Sequence, residues 1–180
     1  MNQYEFYGCD ELPGILDQKE CIFLKRELDT EFATRPVHFD EGRGLVKMIY
    51  RPKPALFVFE RLHYFLERYL NTKLYPTYWF TTQYYNKSYM AAHTDREACE
   101  VSVSLNVHQD NPWHLKVKDK TGKKHSLATP PGDAVLYNGI ECEHWRTPYS
   151  GQNYTQLFLH YVKQSGKYSR YRYDSNCEGV

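Results

Sequence analysis

Four apolar residues, Val101, Val103, Leu105 and Val107, alternate with Ser102, Ser104 and Asn106 in the middle of the chain. Side chains of a strand point alternately to its two faces, so this segment reads as a strand with one face in a core. A helix would scatter the same apolar residues around its axis. The opposite face meets something polar, and in a closed barrel that face can line a cavity.

The period of two holds from Tyr78 onward. Further strands are expected over residues 77–85, 91–95, 114–117, 134–137, 143–146 and 155–162. Turn signals separate them at Asn86-Lys87-Ser88, Asp110-Asn111-Pro112, Lys120-Thr121-Gly122, Pro131-Gly132-Asp133 and Ser150-Gly151-Gln152-Asn153. The aromatic share of 16%, with 17 Tyr, agrees with a strand-rich chain. The first 75 residues read differently. Cys21, Ile22, Leu24, Leu28 and Phe32 recur at helical spacing, as do Phe57, Phe59, Leu62, Phe65, Leu66 and Leu70. Pro52 and Pro54 mark the approach to the second helix, and Pro76 stops anything continuing past it. The expected fold is mainly β with N-terminal helices, a jelly-roll barrel of seven or eight short strands. Its 180 residues suit one domain: a helical buttress and first strands over 1–75, the jelly-roll core over 76–163, and a loosely tethered tail over 164–180.

Lys and Arg (23) nearly balance Asp and Glu (22), so charge gives no reason to expect nucleic acid or an anionic membrane as partner. Cys9, Cys21, Cys99, Cys142 and Cys177 form an odd set without CxxC spacing, and the N-terminus lacks the basic start and apolar run of a signal peptide. A reducing, cytoplasmic location is the expectation. The apolar stretches are far shorter than the roughly 20 residues that cross a bilayer.

His93-Thr94-Asp95 carries the first chemistry. Residues i and i+2 of a strand share a face, so an imidazole and a carboxylate stand side by side. Alone, this pattern reads as a surface pair or a satisfied core histidine. Forty-nine residues after Asp95 comes His144, reached through a Pro-Gly turn, the apolar strand Ala134-Val135-Leu136-Tyr137 and a turn containing Gly139. That path returns His144 across a barrel toward the first pair. Two histidines and one carboxylate on one side of a metal leave coordination positions open, which points to catalysis.

The order His-X-Asp, about fifty residues, a Pro-Gly-Asp strand, a distal His and a following aromatic-rich strand resembles the 2-oxoglutarate/iron(II) dioxygenases, notably the prolyl-hydroxylase branch, whose fold is a double-stranded β-helix. The resemblance covers about residues 78–162. It implies that His93, Asp95 and His144 hold Fe(II), that 2-oxoglutarate and O2 are co-substrates, and that ascorbate can assist. The implied reaction hydroxylates a C–H bond of a peptidyl residue such as proline, or of an amino acid, with succinate and carbon dioxide released. In that family an arginine about ten residues beyond the distal His usually binds the remote carboxylate of 2-oxoglutarate. Tyr154 stands there instead. Arg146, two residues after His144, is the substitute on this reading, because a guanidinium grips a carboxylate with two parallel hydrogen bonds; its alternatives are solvent or a pairing with Glu141 or Glu143. Lys163 is a weaker candidate. Tyr84, nine residues before His93, matches a position where the family often places a hydroxyl on the 2-oxoglutarate carboxylate.

Two other functions remain open from sequence. One is a non-catalytic jelly-roll module that binds a ligand or a protein. The other is zinc hydrolysis, for which no carboxylate is clearly placed as general base. His38, His63, His108, His114, His125 and His160 lack a partner at metal spacing and read as surface or satisfied core residues. Arg96 and Glu97 are candidates for the substrate mouth, Trp145 for outward packing, and residues 118–126 for a mobile or merely solvated hairpin.

Overall fold

The computed structural model describes residues 3–174. Three helices, α1 (Gln3–Tyr7), α2 (Gln18–Ala33) and α3 (Leu56–Tyr69), accompany eleven strands. The strands are β1 (Cys9–Leu12), β2 (His38–Asp40), β3 (Gly44–Tyr50), β4 (Leu74–Tyr84), β5 (Met90–His93), β6 (Val101–Gln109), β7 (Leu115–Lys118), β8 (Lys124–Leu127), β9 (Ala134–Tyr137), β10 (His144–Arg146) and β11 (Tyr154–Lys163).

A capping box starts α2. The Glu20 amide donates to Asp17 Oδ1 at 2.8 Å and the Asp17 amide donates back to Glu20 Oε2 at 3.0 Å. The helix then buries Cys21, Leu24, Leu28 and Phe32, and α3 buries Val58, Phe59, Leu62 and Leu66. Both stripes pack on one face of a seven-stranded sheet of order β1-β9-β6-β11-β4-β3-β2, meeting Val101, Val103, Leu105, Leu157 and Leu159. The apolar face of β6 is therefore the one turned to the helices.

The other face of this sheet looks onto a four-stranded sheet of order β5-β10-β7-β8. Met90, Leu115 and Val117 from the small sheet pack with Cys9, Val135 and Tyr137 from the large one. The expected jelly roll is present, with one correction. Among the described residues the two sheets are not joined by hydrogen-bonded edges into a closed barrel. They face each other as an open pair, and the polar residues of β6 lie between them.

Four strands, β1, β2, β3 and β8, were not individually legible. β2 and β8 are partly exposed edge strands with no apolar alternation, and β3 mixes exposed Leu45 with half-buried Lys47 and Met48. Pro76 does not end an element; it lies inside β4, where the pairing with β11 slips between His160 and Tyr161 and removes the need for its missing N–H. The start of the tail is also held. The Tyr173 amide donates to Pro76 O at 2.9 Å, Arg51 Nη2 donates to the Asp174 carbonyl at 2.7 Å, and Arg96 pairs with the Asp174 carboxylate. Residues 175–180, with Cys177, lie outside the described residues. No helix among the described residues is long and apolar enough to cross a membrane.

Candidate active site

Pairing of β5 with β10 sets His93 directly opposite His144. Asp95 follows two residues after His93, and its amide donates to Gly139 O at 2.7 Å. A Cβ on residue 139 would collide with the Asp95 carboxylate and the Cys99 carbonyl, so glycine is required for this approach. The backbone thus brings the three predicted ligands together. Their ligand atoms all lie within 4.8 Å of one another.

The imidazoles are oriented for a metal. His93 Nδ1 lies 2.8 Å from Ala91 O, and His144 Nδ1 lies 2.9 Å from Cys142 O. A carbonyl only accepts, so each Nδ1 carries a proton and each Nε2 is the ring atom left to face Asp95 or a metal. Those Nε2 atoms stand 3.5 Å and 3.7 Å from one oxygen, Asp95 Oδ1. Burial works against a charge on Asp95, but the His93 hydrogen bond and the fields of His144 and His160 outweigh it and hold the carboxyl below its usual range. Burial pushes His144 down, whereas the bond to Asp95 pushes His93 up. The donor set of two imidazole nitrogens and an ionised carboxylate fits a divalent iron.

A cavity of about 220 Å³ opens beside the triad. Tyr50, Tyr78, Phe80 and Phe158 form an aromatic wall, while Arg43, Arg96 and His160 bring the polar groups. His160 escaped the sequence reading because it has no local motif. Ser102 Oγ lies 2.8 Å from His160 Nδ1 and 3.0 Å from Cys99 O. The carbonyl takes the serine proton, so His160 Nδ1 donates to Ser102 and Nε2 is left as an acceptor. That Nε2 is buried without a hydrogen-bond partner. Burial drives its pKa down to about 4, so the ring is neutral. His160 also forms a second close group with Asp95 and Cys99.

Arg146, Tyr84 and Tyr154 come together in a cage that does not line the cavity. Arg146 is 2% exposed and reaches neither solvent nor Glu141 or Glu143. Its Nη1 donates to Trp113 O and its Nη2 to Gln156 Oε1 at 3.1 Å, with the guanidinium 4.8 Å from the Trp113 ring and 5.0 Å from the Tyr154 ring. Tyr84 and Tyr154 face each other across β4 and β11; the Tyr154 hydroxyl has no hydrogen-bond partner, and that of Tyr84 has only loose contacts with Thr82 and Arg43. Lys163 is remote, 3.8 Å from Glu100. Arg96 lines the cavity, Glu97 pairs with Arg170, and Trp145 turns outward under Lys124. A larger groove of about 860 Å³ between α2 and β6 holds no comparable ligand set.

No protein-family model matches the chain, and no curated protein matches it in sequence. Solved structures do match in fold. The epimerase SnoN from nogalamycin biosynthesis, solved with Fe3+, α-ketoglutarate and nogalamycin RO, is 10% identical at a TM-score of 0.73, over 89% of this chain and 80% of that one. A Pseudomonas putida prolyl-4-hydroxylase is 15% identical at 0.70, over 88% and 94%. HygX from Streptomyces hygroscopicus, solved with nickel, 2-oxoglutarate and hygromycin B, is 14% identical at 0.66, over 88% and 84%. The chain shares the fold of these proteins.

Proposed function

We propose that this chain, built on the fold of the 2-oxoglutarate/iron(II) oxygenases, has their activity, with His93, Asp95 and His144 as the iron ligands. The observation that carries the proposal is the convergence of two Nε2 atoms on one oxygen of the ionised, half-buried Asp95 carboxylate. When bound, Fe(II) with 2-oxoglutarate and O2 supplies the oxidation of a substrate C–H bond, and ascorbate can keep the metal reduced.

The protein's contribution is to bind, orient and exclude water. The carbonyls of Ala91 and Cys142 fix the ligand tautomers before metal arrives. The unpartnered Tyr154 hydroxyl and the loosely held Tyr84 hydroxyl, beside the Arg146 cation, are hydrogen-bonding capacity that the fold does not fully satisfy itself. Arg146 and Tyr154 do not line the cavity, so they favour an anionic co-substrate such as 2-oxoglutarate through their field and packing rather than by touching it. His160 Nε2 offers an acceptor to a substrate N–H or O–H at the cavity wall. The substrate proposed is a peptidyl residue such as proline, or an amino acid. The likeness to a prolyl-4-hydroxylase supports that class, and the aromatic wall suits a compact ring.

Anaerobic titration with Fe(II) and 2-oxoglutarate tests the reading: a weak visible absorption band is expected, followed by succinate in air. Asp95→Ala should abolish both signals. Wild-type protein that gives neither would sink the proposal.

A further inference from the structure

Arg43 was not singled out by the sequence, since nothing in its neighbourhood resembles a motif. It lies in the turn between β2 and β3, yet it lines the same cavity as His93, Asp95 and His144, which Arg146 does not. Its side chain is 23% exposed, with Nη1 donating to Asp40 Oδ2 at 3.1 Å. Its Nε is buried and has no hydrogen-bond partner. Arg146, by contrast, has committed both terminal nitrogens to Trp113 and Gln156.

The turn is fixed to the metal-binding strand. The Ala91 amide donates to Gly42 O at 2.8 Å and the Tyr89 amide donates to Arg43 O at 2.9 Å. Arg43 is therefore held in register with His93, two residues beyond Ala91. The fully buried Tyr84 hydroxyl is within hydrogen-bonding reach of Arg43 and Thr82, though with no bond of good geometry, and stands in the field of Arg146 as well. Two guanidiniums thus act on one hydroxyl, and of the two only Arg43 has a carboxylate partner, Asp40. A second carboxylate is what this arrangement lacks.

We infer that Arg43 grips the remote carboxylate of 2-oxoglutarate through its unused Nε edge, with the Tyr84 hydroxyl as second donor and Arg146 as a positioning residue behind them. The inference rests on the activity proposed above and adds to it the residue that does the work of the family's last-strand arginine, whose place is taken by Tyr154. The Nε and terminal nitrogen on one edge of a guanidinium match the two oxygens of a carboxylate, and Asp40 holds the opposite end of the group in place.

The test uses the full chain loaded with Mn(II), which binds without turnover, and calorimetric titration with 2-oxoglutarate and with pyruvate. Pyruvate keeps the 2-oxo acid head and lacks the remote carboxylate. For wild type, 2-oxoglutarate should bind at least tenfold more tightly than pyruvate. Arg43→Gln should weaken 2-oxoglutarate tenfold or more, leave pyruvate within twofold, and keep the Mn(II) affinity. Arg43→Lys should recover part of the loss and serves if the Gln variant folds poorly. Arg146→Lys should weaken both acids by a similar, smaller factor, because it acts through the cage. Unchanged 2-oxoglutarate affinity in Arg43→Gln overturns the inference, as does equal loss of both acids. Wild-type protein that takes up Mn(II) but binds neither acid overturns the functional reading itself.

Discussion

Gly139 is the point where the backbone touches the candidate metal site. Its carbonyl accepts the Asp95 amide and its bare Cα leaves room for the Asp95 carboxylate. Gly139→Ala should displace that carboxylate and weaken Mn(II) binding at least tenfold, with overpacking costing about 1–3 kcal/mol in thermal melts. Unaltered metal affinity would show that the contact is slack. His93 and Asp95 were readable because i, i+2 spacing on a strand is a local rule, and His144 because a turn–strand–turn path leads back to it. Arg43 and His160 come from elements far from either motif. Arg43 is placed by hydrogen bonds between a turn and β5, and His160 by the position of β11 opposite β4 and β6, neither of which leaves a spacing in the sequence.

The turn of the β7–β8 hairpin is held by one carboxylate, while Leu115 and Val117 anchor β7 in the core. Asp119 accepts from His125 Nε2 at 2.7 Å, from the Thr121 amide and hydroxyl at 2.8 Å and 2.7 Å, and from the Lys123 amide at 3.0 Å. Burial pushes its pKa up, but these bonds outweigh it and hold it at about 2. A carboxyl lowered in the folded state adds stability that is complete above its unfolded pKa of about 4 and is lost as pH falls toward 2. Melts between pH 5 and 2 should show that loss, and Asp119→Asn should remove this part of the slope; equal slopes would refute the assignment. Residues 118–126 are thus an ordered hairpin, which a polar, basic stretch conceals. At this scale β6 was the clearest element in the sequence, because each of its faces has a different and consistent task. The edge strands β2 and β8 were hidden for the opposite reason, having no face that is fully buried.

One apolar layer lies between the helices and the large sheet, while between the two sheets the polar residues of β6 and the site sit among aromatic and aliphatic side chains. Helix stripes and strand alternation made the first layer legible. The open pairing of the sheets was not, since edge closure depends on partners that no single segment encodes. The inner layer leaves His160 Nε2 unsatisfied at the cavity wall, a cost of about 1–3 kcal/mol that a ligand can remove. Mn(II)-loaded protein should therefore melt higher with 2-oxoglutarate, by about 5–10 °C at a hundredfold excess over Kd; no rise would mean that the inner layer is not the binding layer. The turn between β2 and β3 gives this layer a property of its own. Because its backbone is hydrogen-bonded to the residues just ahead of His93, the turn fixes how far the Arg43 guanidinium stands from the three ligand residues, so on the inference drawn above it acts as a ruler. Lengthening it by a residue should then shift the preference in calorimetric titration toward a 2-oxo diacid of different carbon count while Mn(II) affinity stays unchanged.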